Sequence, residues 1–176
     1  MLFCLCFYLT VPTLSYFLEG DTIKVLSFDQ STKITGYSLY NNSSLLTYGT
    51  LRSEPNEKNP IERMKQMYDK IKGCLEKNNP DFVVFENVQF QKNYGTFQQL
   101  SQLQGVLMSL LFERNIAFQY IEATAWRAFC KIKGRKRIEQ KANAIQMVKD
   151  KFNLSVSEDE ADAILLGYFA VNKILK

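Results

Sequence analysis

Asp81-Phe82-Val83-Val84-Phe85-Glu86 decides how this chain folds. Its four apolar residues run without a polar break, which marks a short strand covered on both faces rather than one open to water on one side. A strand of that kind belongs inside a sheet with helices above and below. It closes on Glu86, a carboxylate at the rim of a core, where a lone charge costs several kcal/mol unless something positive lies beside it.

Upstream, residues 24–29, 34–40 and 44–52 are rich in β-branched and aromatic residues and are separated by polar turns such as Tyr40-Asn41-Asn42-Ser43. They read as three strands in consecutive antiparallel hairpins. Asn59-Pro60 then supplies an N-cap and a first-turn proline for a helix through Ile61, Met64, Met67 or Tyr68, Ile71 and Leu75, stopped by Asn78-Asn79-Pro80. Downstream of Glu86, Phe97, Leu100, Leu103, Leu107, Leu110 and Leu111 recur at helical steps over 96–114. A strand over 115–121 follows, then a short helix capped by Thr124 and holding Trp126 and Phe129. A basic loop around Gly134 leads to helices over 138–152 and 158–175. Three antiparallel strands followed by parallel strands alternating with helices make an α/β fold with one mixed five-stranded sheet flanked by helices. This order resembles the ribonuclease H-like fold, in which the first and fourth strands are neighbours and the last helix packs across them.

In that arrangement four acids in three places converge: Asp29 at the end of the first strand, Glu86, and Asp159 with Asp162 in the last helix. Each has a plain structural explanation to set beside a functional one. Asp29 could be a strand-end turn residue. Ser157-Glu158-Asp159-Glu160 has the form of a capping box, which accounts for acids in a first turn. It does not account for Asp162, one turn deeper between Ala161 and Ala163 and on the same face as Asp159. A glutamate closing a run of Phe and Val is equally poor material for burial without a partner. Divalent cations are the natural partner for such a set.

The 176 residues are 46% hydrophobic, enough for a real core, and carry a net charge of +4. The charge is unevenly spread: residues 126–141 hold Arg127, Lys131, Lys133, Arg135, Lys136, Arg137 and Lys141 against one acid, Glu139. Such a run is either a solvated face or a polyanion contact. Histidine is absent. That excludes a Ser-His-Asp triad, a His-ligated zinc and an imidazole base. Cys4, Cys6, Cys74 and Cys130 form neither a CxxC motif nor an even framework, so a reducing, cytoplasmic setting is the default. Residues 1–20 are read as an apolar extension, and 21–176 as a single domain. The first eighteen residues are uncharged, but they lack the basic start and small-residue cleavage site of a secretory signal. Pro12, Thr10, Thr13 and Ser15 argue against a membrane span. Whether the segment is an upstream extension, a signal or an anchor is left open by its sequence.

Phe28-Asp29-Gln30-Ser31-Thr32-Lys33-Ile34-Thr35-Gly36-Tyr37 resembles the first-strand motif of the RuvC family of Holliday-junction resolvases, Asp-Pro-Gly-Ser-x-x-x-Gly-Tyr. Val84-Phe85-Glu86-Asn87-Val88 is similar to that family's Glu-Gln/Asn-Val motif, with Lys92-Asn93 and Gln104-Gly105 at matching spacing. The stretch from Lys141 to Val148 resembles its basic helix start, and Asp159-Glu160-Ala161-Asp162-Ala163 its closing Asp-x-x-Asp-Ala. The resemblance spans about residues 24–172. Gln30-Ser31 stands where the family has Pro-Gly, Phe90 lies one place later than the usual aromatic, and the basic loop is richer in Lys and Arg, as in a divergent, phage-type member.

The resemblance implies a crossover junction endodeoxyribonuclease that nicks four-way or other branched DNA symmetrically, leaving 5′ phosphate and 3′ hydroxyl. Asp29, Glu86, Asp159 and Asp162 would bind two magnesium ions, with manganese as a substitute, one ion activating water and the other steadying the departing 3′ oxygen. Asp29 would bridge them. Lys141 would stand near the scissile phosphate, its plain alternative being a solvated helix-start lysine. Arg127, Lys131, Lys133, Arg135, Lys136, Arg137 and Lys92 would contact phosphates, and Phe90 and Tyr94 would stack on an unpaired base or pack beneath their own loop. No small-molecule cofactor is implied. Paired incision implies a C2 homodimer, for which the helix over 96–114 carries apolar residues. The competing readings are a nuclease of the same fold acting on RNA/DNA hybrids or flaps, and a catalytically silent junction-binding protein.

Overall fold

The computed structural model describes residues 22–90 and 93–175. Strands β1 (Lys24–Asp29), β2 (Ile34–Asn41) and β3 (Ser44–Arg52) follow one another as antiparallel hairpins. The second turn is tight because Asn42 takes a left-handed conformation, φ 51°, that asparagine tolerates. Helix α1 (Pro60–Asn78) begins as its sequence directs, with the Asn59 side chain accepting from the Ile61 N–H and Pro60 at the first position. Strand β4 (Phe82–Glu86) returns beside β1. Asp81 stands just outside it, its carboxylate accepting the Lys24 N–H at 2.8 Å and so pinning the start of β1.

Helix α2 (Tyr94–Glu113), strand β5 (Ala117–Ile121) and helices α3 (Ala123–Phe129), α4 (Arg137–Phe152) and α5 (Glu158–Phe169) complete the order. The sheet runs β3-β2-β1-β4-β5, with β1, β4 and β5 parallel. This is the mixed, ribonuclease H-like arrangement expected from the sequence. Several boundaries differ, among them the start of α2, at Tyr94 rather than 96. Asn115 is a left-handed turn residue, φ 52°, so β5 starts two residues later than 115. Glu122, not Thr124, occupies the N-cap of α3, and Thr124 lies within the helix. The last helix converts at Ala170 to a π-helical segment, Ala170–Ile174.

The sheet is covered on both faces, which is why β1 and β4 are buried continuously between their ends. Leu26, Phe28, Val83 and Phe85 pack with Met67 and Ile71 of α1 and Leu103, Leu107, Leu110 and Leu111 of α2. The opposite face, carrying Val25, Phe82 and Val84, packs with Trp126, Ala144, Val148, Ala161, Ile164 and Leu165 of α3, α4 and α5. Leu103, Leu107, Leu110 and Leu111 of α2 are therefore spent on the chain's own core, and its outward side carries Gln98, Ser101, Gln102, Gly105, Ser109 and the exposed Phe112. Residues 1–20 and Lys92 lie outside the described residues. Among the described residues no helix is long and apolar enough to cross a membrane. Cys74 and Cys130 are buried free thiols, pushed up to about 11 and about 12 by burial.

Candidate active site

Register and side-chain alternation bring the acids together. Phe28 pairs with Phe85 across the parallel β1–β4 ladder, so the next residues, Asp29 and Glu86, end the two strands side by side. Both phenylalanines point toward α1 and α2, so Asp29 and Glu86 turn to the other face, under α5. On the other side of β1, Asp29 pairs with Gly36 of β2. A Cβ on Gly36 would stand 1.9 Å from the Asp159 carbonyl oxygen, so only glycine lets the first turn of α5 lie this close to the sheet.

The rest of α5 is held as closely. Ser27 and Ser38 donate to the Ala163 carbonyl at 2.7 and 3.1 Å, and the Tyr40 hydroxyl donates to that of Ile164 at 3.0 Å. A second glycine, Gly167, clears the Tyr40 ring, which a Cβ would approach to 2.7 Å. The N-terminus of α5 carries the capping box expected from its sequence, Ser157 accepting from the Glu160 N–H while the Glu160 carboxylate accepts from that of Ser157. Asp159 and Asp162 are thereby placed in the first turns of a helix whose height above the sheet is set by two glycines and three hydroxyls.

Electrostatics show how near the acids are. Asp29 keeps part of its side chain open to solvent, yet its surroundings desolvate it, and Asp162, Glu86 and Asp159 add repulsion; together they raise its pKa well above the ordinary carboxylate value. Asp162 is 9% exposed and is pushed up to about 6, chiefly by burial, with Glu86 and Asp159 adding and Arg127 and Lys141 opposing. Lys141, at the start of α4, pairs with Glu158 and also draws Asp29 downward. Glu86 is gripped from the side: the Trp126 indole N–H donates to it at 2.9 Å and the Arg127 guanidinium lies at 3.5 Å, itself 4.8 Å over the Trp126 ring. In this side-chain arrangement no three of Asp, Glu or Cys among the described residues close on one ion-sized position. Glu86 is the member held toward α3.

The remaining expected residues separate into two groups. Arg127 is engaged with Glu86, because α3 follows β5 directly onto the face where Glu86 points. Lys131, Lys133, Arg135, Lys136 and Arg137 are exposed and make no ion pair among the described residues. Glu139 turns back to accept from the Arg135 and Lys136 N–H groups, which shapes the basic loop into the start of α4. Phe90 and Tyr94 are 66% and 67% exposed, with Phe90 edge-on to Phe97 at 5.4 Å. Two residues close to the site escaped sequence reasoning. Trp126 was legible only as part of a helix, although a lone tryptophan one place before Arg127 marked the spot. Gln30 donates to the Glu86 carbonyl oxygen and clips β4 to β1 where a proline could not.

A carboxylate cluster on the edge of a mixed five-stranded sheet, under a closing helix and beside a cationic loop, places the molecule among the ribonuclease H-like α/β proteins. Residues 25–168 match the family model for crossover junction endodeoxyribonuclease RuvC, and the chain belongs to that family. A RuvC from Dictyoglomus turgidum is 36% identical over 88 residues, 48% of this chain and 55% of that protein, so this alignment spans about half of the relative. One from Fusobacterium nucleatum is 29% identical over 161 residues, 86% of this chain and 82% of that protein. Among solved structures, Thermus thermophilus RuvC in complex with a Holliday junction superposes with a TM-score of 0.65 at 15% identity, covering 84% of this chain and 94% of that one. The yeast mitochondrial Holliday junction resolvase Ydc2 gives 0.62 at 16% identity, covering 88% and 80%.

Proposed function

We propose that this chain is a metal-dependent endonuclease that resolves four-way DNA junctions by paired, symmetric nicks leaving 5′ phosphate and 3′ hydroxyl. The observation that carries the reading is the convergence of acids at one end of a RuvC-family sheet: Asp29 and Glu86 end neighbouring strands under α5, and the partner of Asp29, Gly36, lies against the main chain of Asp159, one turn before Asp162. These are hard oxygen donors without histidine or thiolate among them, which suits magnesium, or manganese in its place. Asp29, repelled by all three others, is the choice for the shared ligand of two ions. When bound, the ions would polarise the scissile phosphodiester and lower the pKa of an attacking water.

The chain's own groups do the positioning. Lys141, already within the field of Asp29 and Asp162, would offer its ammonium to the phosphoryl charge that grows during cleavage. Trp126 and Arg127 orient the Glu86 carboxylate. Lys131, Lys133, Arg135, Lys136, Arg137 and Lys92 would neutralise backbone phosphates, which gives affinity without base readout. The exposed rings of Phe90 and Tyr94, beside the Glu86 loop, would stack on bases unpaired at the crossover. Because each chain carries one such cluster and a four-way junction has two equivalent strands to cut, the working form would be a two-fold dimer in the cytoplasm. Residues 21–176 would form a single nuclease domain.

The test is cleavage of a labelled synthetic four-way junction beside linear duplex, flap and RNA/DNA hybrid, with magnesium or EDTA and with Asp162→Asn. Symmetric, magnesium-dependent nicks confined to the junction and lost in the variant are the expected result. Preferential cutting of the hybrid or flap would replace the resolvase reading with that of a related nuclease, and binding without cutting would leave a silent junction binder.

A further inference from the structure

A second cationic site lies on the same edge of the sheet as the acids, where β3 leads into α1. It is a cavity of about 820 Å³ lined by Lys33, Arg52, Lys58 and Arg63, with Glu54 and Glu57 also contributing. Arg63 is its unusual member. It is only 8% exposed, yet among the described residues it has no carboxylate partner. Its Nη1 donates to the main-chain oxygens of Glu57 and Lys58, each at 3.0 Å, its Nη2 to Gln99 at 3.3 Å, and its buried Nε to nothing. A buried guanidinium satisfied only by neutral oxygens is an uncompensated charge, which is costly unless an anion joins it.

Lys33, Arg52 and Lys58 are exposed and likewise unpaired among the described residues. Of the two acids, Glu57 is engaged with the Asn59 N–H at 2.7 Å, and four cations outweigh two carboxylates. The cavity is also close to the chemistry. Lys33 ends the turn that begins after Asp29, and its carbonyl accepts the Ser53 N–H at 3.0 Å, tying the β3–α1 loop to that turn. Across β2, Thr50 lies level with Asp29 and Arg52 two residues beyond it, which puts Arg52 roughly 12 Å from Asp29 at ordinary strand spacing and rise. The exposed lysines and arginines of residues 131–137 form a separate group, between α3 and α4. The acids thus stand between two cationic surfaces, one where β3 leads into α1 and the other on α3 and α4.

We propose that the cavity of Lys33, Arg52, Lys58 and Arg63 seats the sugar-phosphate backbone of a second DNA arm, diverging from the arm held by residues 131–137. The inference rests on the reading of the chain as a junction nuclease. A duplex ending at the acids covers one surface, whereas a branched substrate fills both. Arg52 offers its Nη donors to phosphate oxygens, Lys33 and Lys58 act as point charges, and the buried charge of Arg63 adds attraction from beneath.

Binding is measured with the non-cleaving Asp162→Asn protein on a labelled four-way junction and on a linear duplex of equal length, across about 50 to 200 mM salt. The same measurement is made with Lys33→Ala, Arg52→Ala and Lys58→Ala added together, all exposed positions whose replacement leaves the melting temperature in place. Junction affinity is expected to fall at least ~10-fold, and the log–log salt slope to become shallower by roughly two to three, about 0.9 for each phosphate that is no longer neutralised. An unchanged affinity and slope on the junction would overturn the proposal. Equal binding of junction and duplex by the parent would instead count against junction selectivity, and there the slope difference on duplex decides the cavity by itself: present, it supports a phosphate site; absent, it removes one. Failure to bind either DNA overturns both readings.

Discussion

At the scale of single residues, Asp162 sets a conflict between stability and function. Its carboxyl is pushed up to about 6 by burial and by Glu86 and Asp159, against an unfolded value near 3.8. Between those values the folded state holds a proton that the unfolded state has released, so stability falls as pH rises through the window and the loss is complete above it. The loss is on the order of 3 kcal/mol for Asp162, and the raised Asp29 acts in the same direction. Melting of the metal-free protein in EDTA should therefore show a lower midpoint at pH 7.5 than at pH 4.5, and Asp162→Asn should flatten that dependence while raising the midpoint at neutral pH. The same variant should lose at least ~100-fold in junction cleavage. A wild-type midpoint that climbs steadily between those two pH values would contradict the assignment.

At the scale of elements, the site depends on how low α5 rides over β1 and β2. Gly36→Ala would drive a methyl into the main-chain carbonyl of Asp159, which cannot rotate away as a side-chain tip would. The helix must lift, at a cost of about 3 kcal/mol or more as a severe overpacking change, and Asp159 and Asp162 would lift with it. Cleavage should fall further than the loss of folded protein explains, as measured at a temperature where the variant is still fully folded; cleavage that follows the folded fraction alone would show that α5 tolerates the shift. Much of this layer was legible beforehand. The apolar runs ending in Asp29 and Glu86, the Asn59-Pro60 helix start and the Ser157–Glu160 capping box are local patterns, written in neighbouring residues. What was not legible depends on tertiary placement. The grip of Trp126 and Arg127 on Glu86 needs α3 to land on one particular face, and nothing local distinguishes Arg127 from the other cations of its run. The core role of the α2 leucines is hidden for the same reason, since periodicity marks an apolar face without saying what covers it.

At the scale of the whole molecule, charge is distributed by place. Acids occupy the sheet edge, cations lie to either side of it, and the π-helical end of the last helix carries no part of the site. A modest net charge of +4 conceals this layout, since a polyanion meets the two cationic surfaces before it meets the repelling carboxylates. The chain also contains one tryptophan, and that tryptophan donates its indole proton to Glu86. The molecule is consequently its own optical instrument: any ion that recruits Glu86 must alter the surroundings of the sole dominant fluorophore, without a dye or a mutation. Rapid mixing with magnesium should change Trp126 emission at a rate and concentration dependence that time the loading of the site before any strand is cut. Emission that stays constant at magnesium concentrations sufficient for cleavage would mean that Glu86 works without ever leaving the indole.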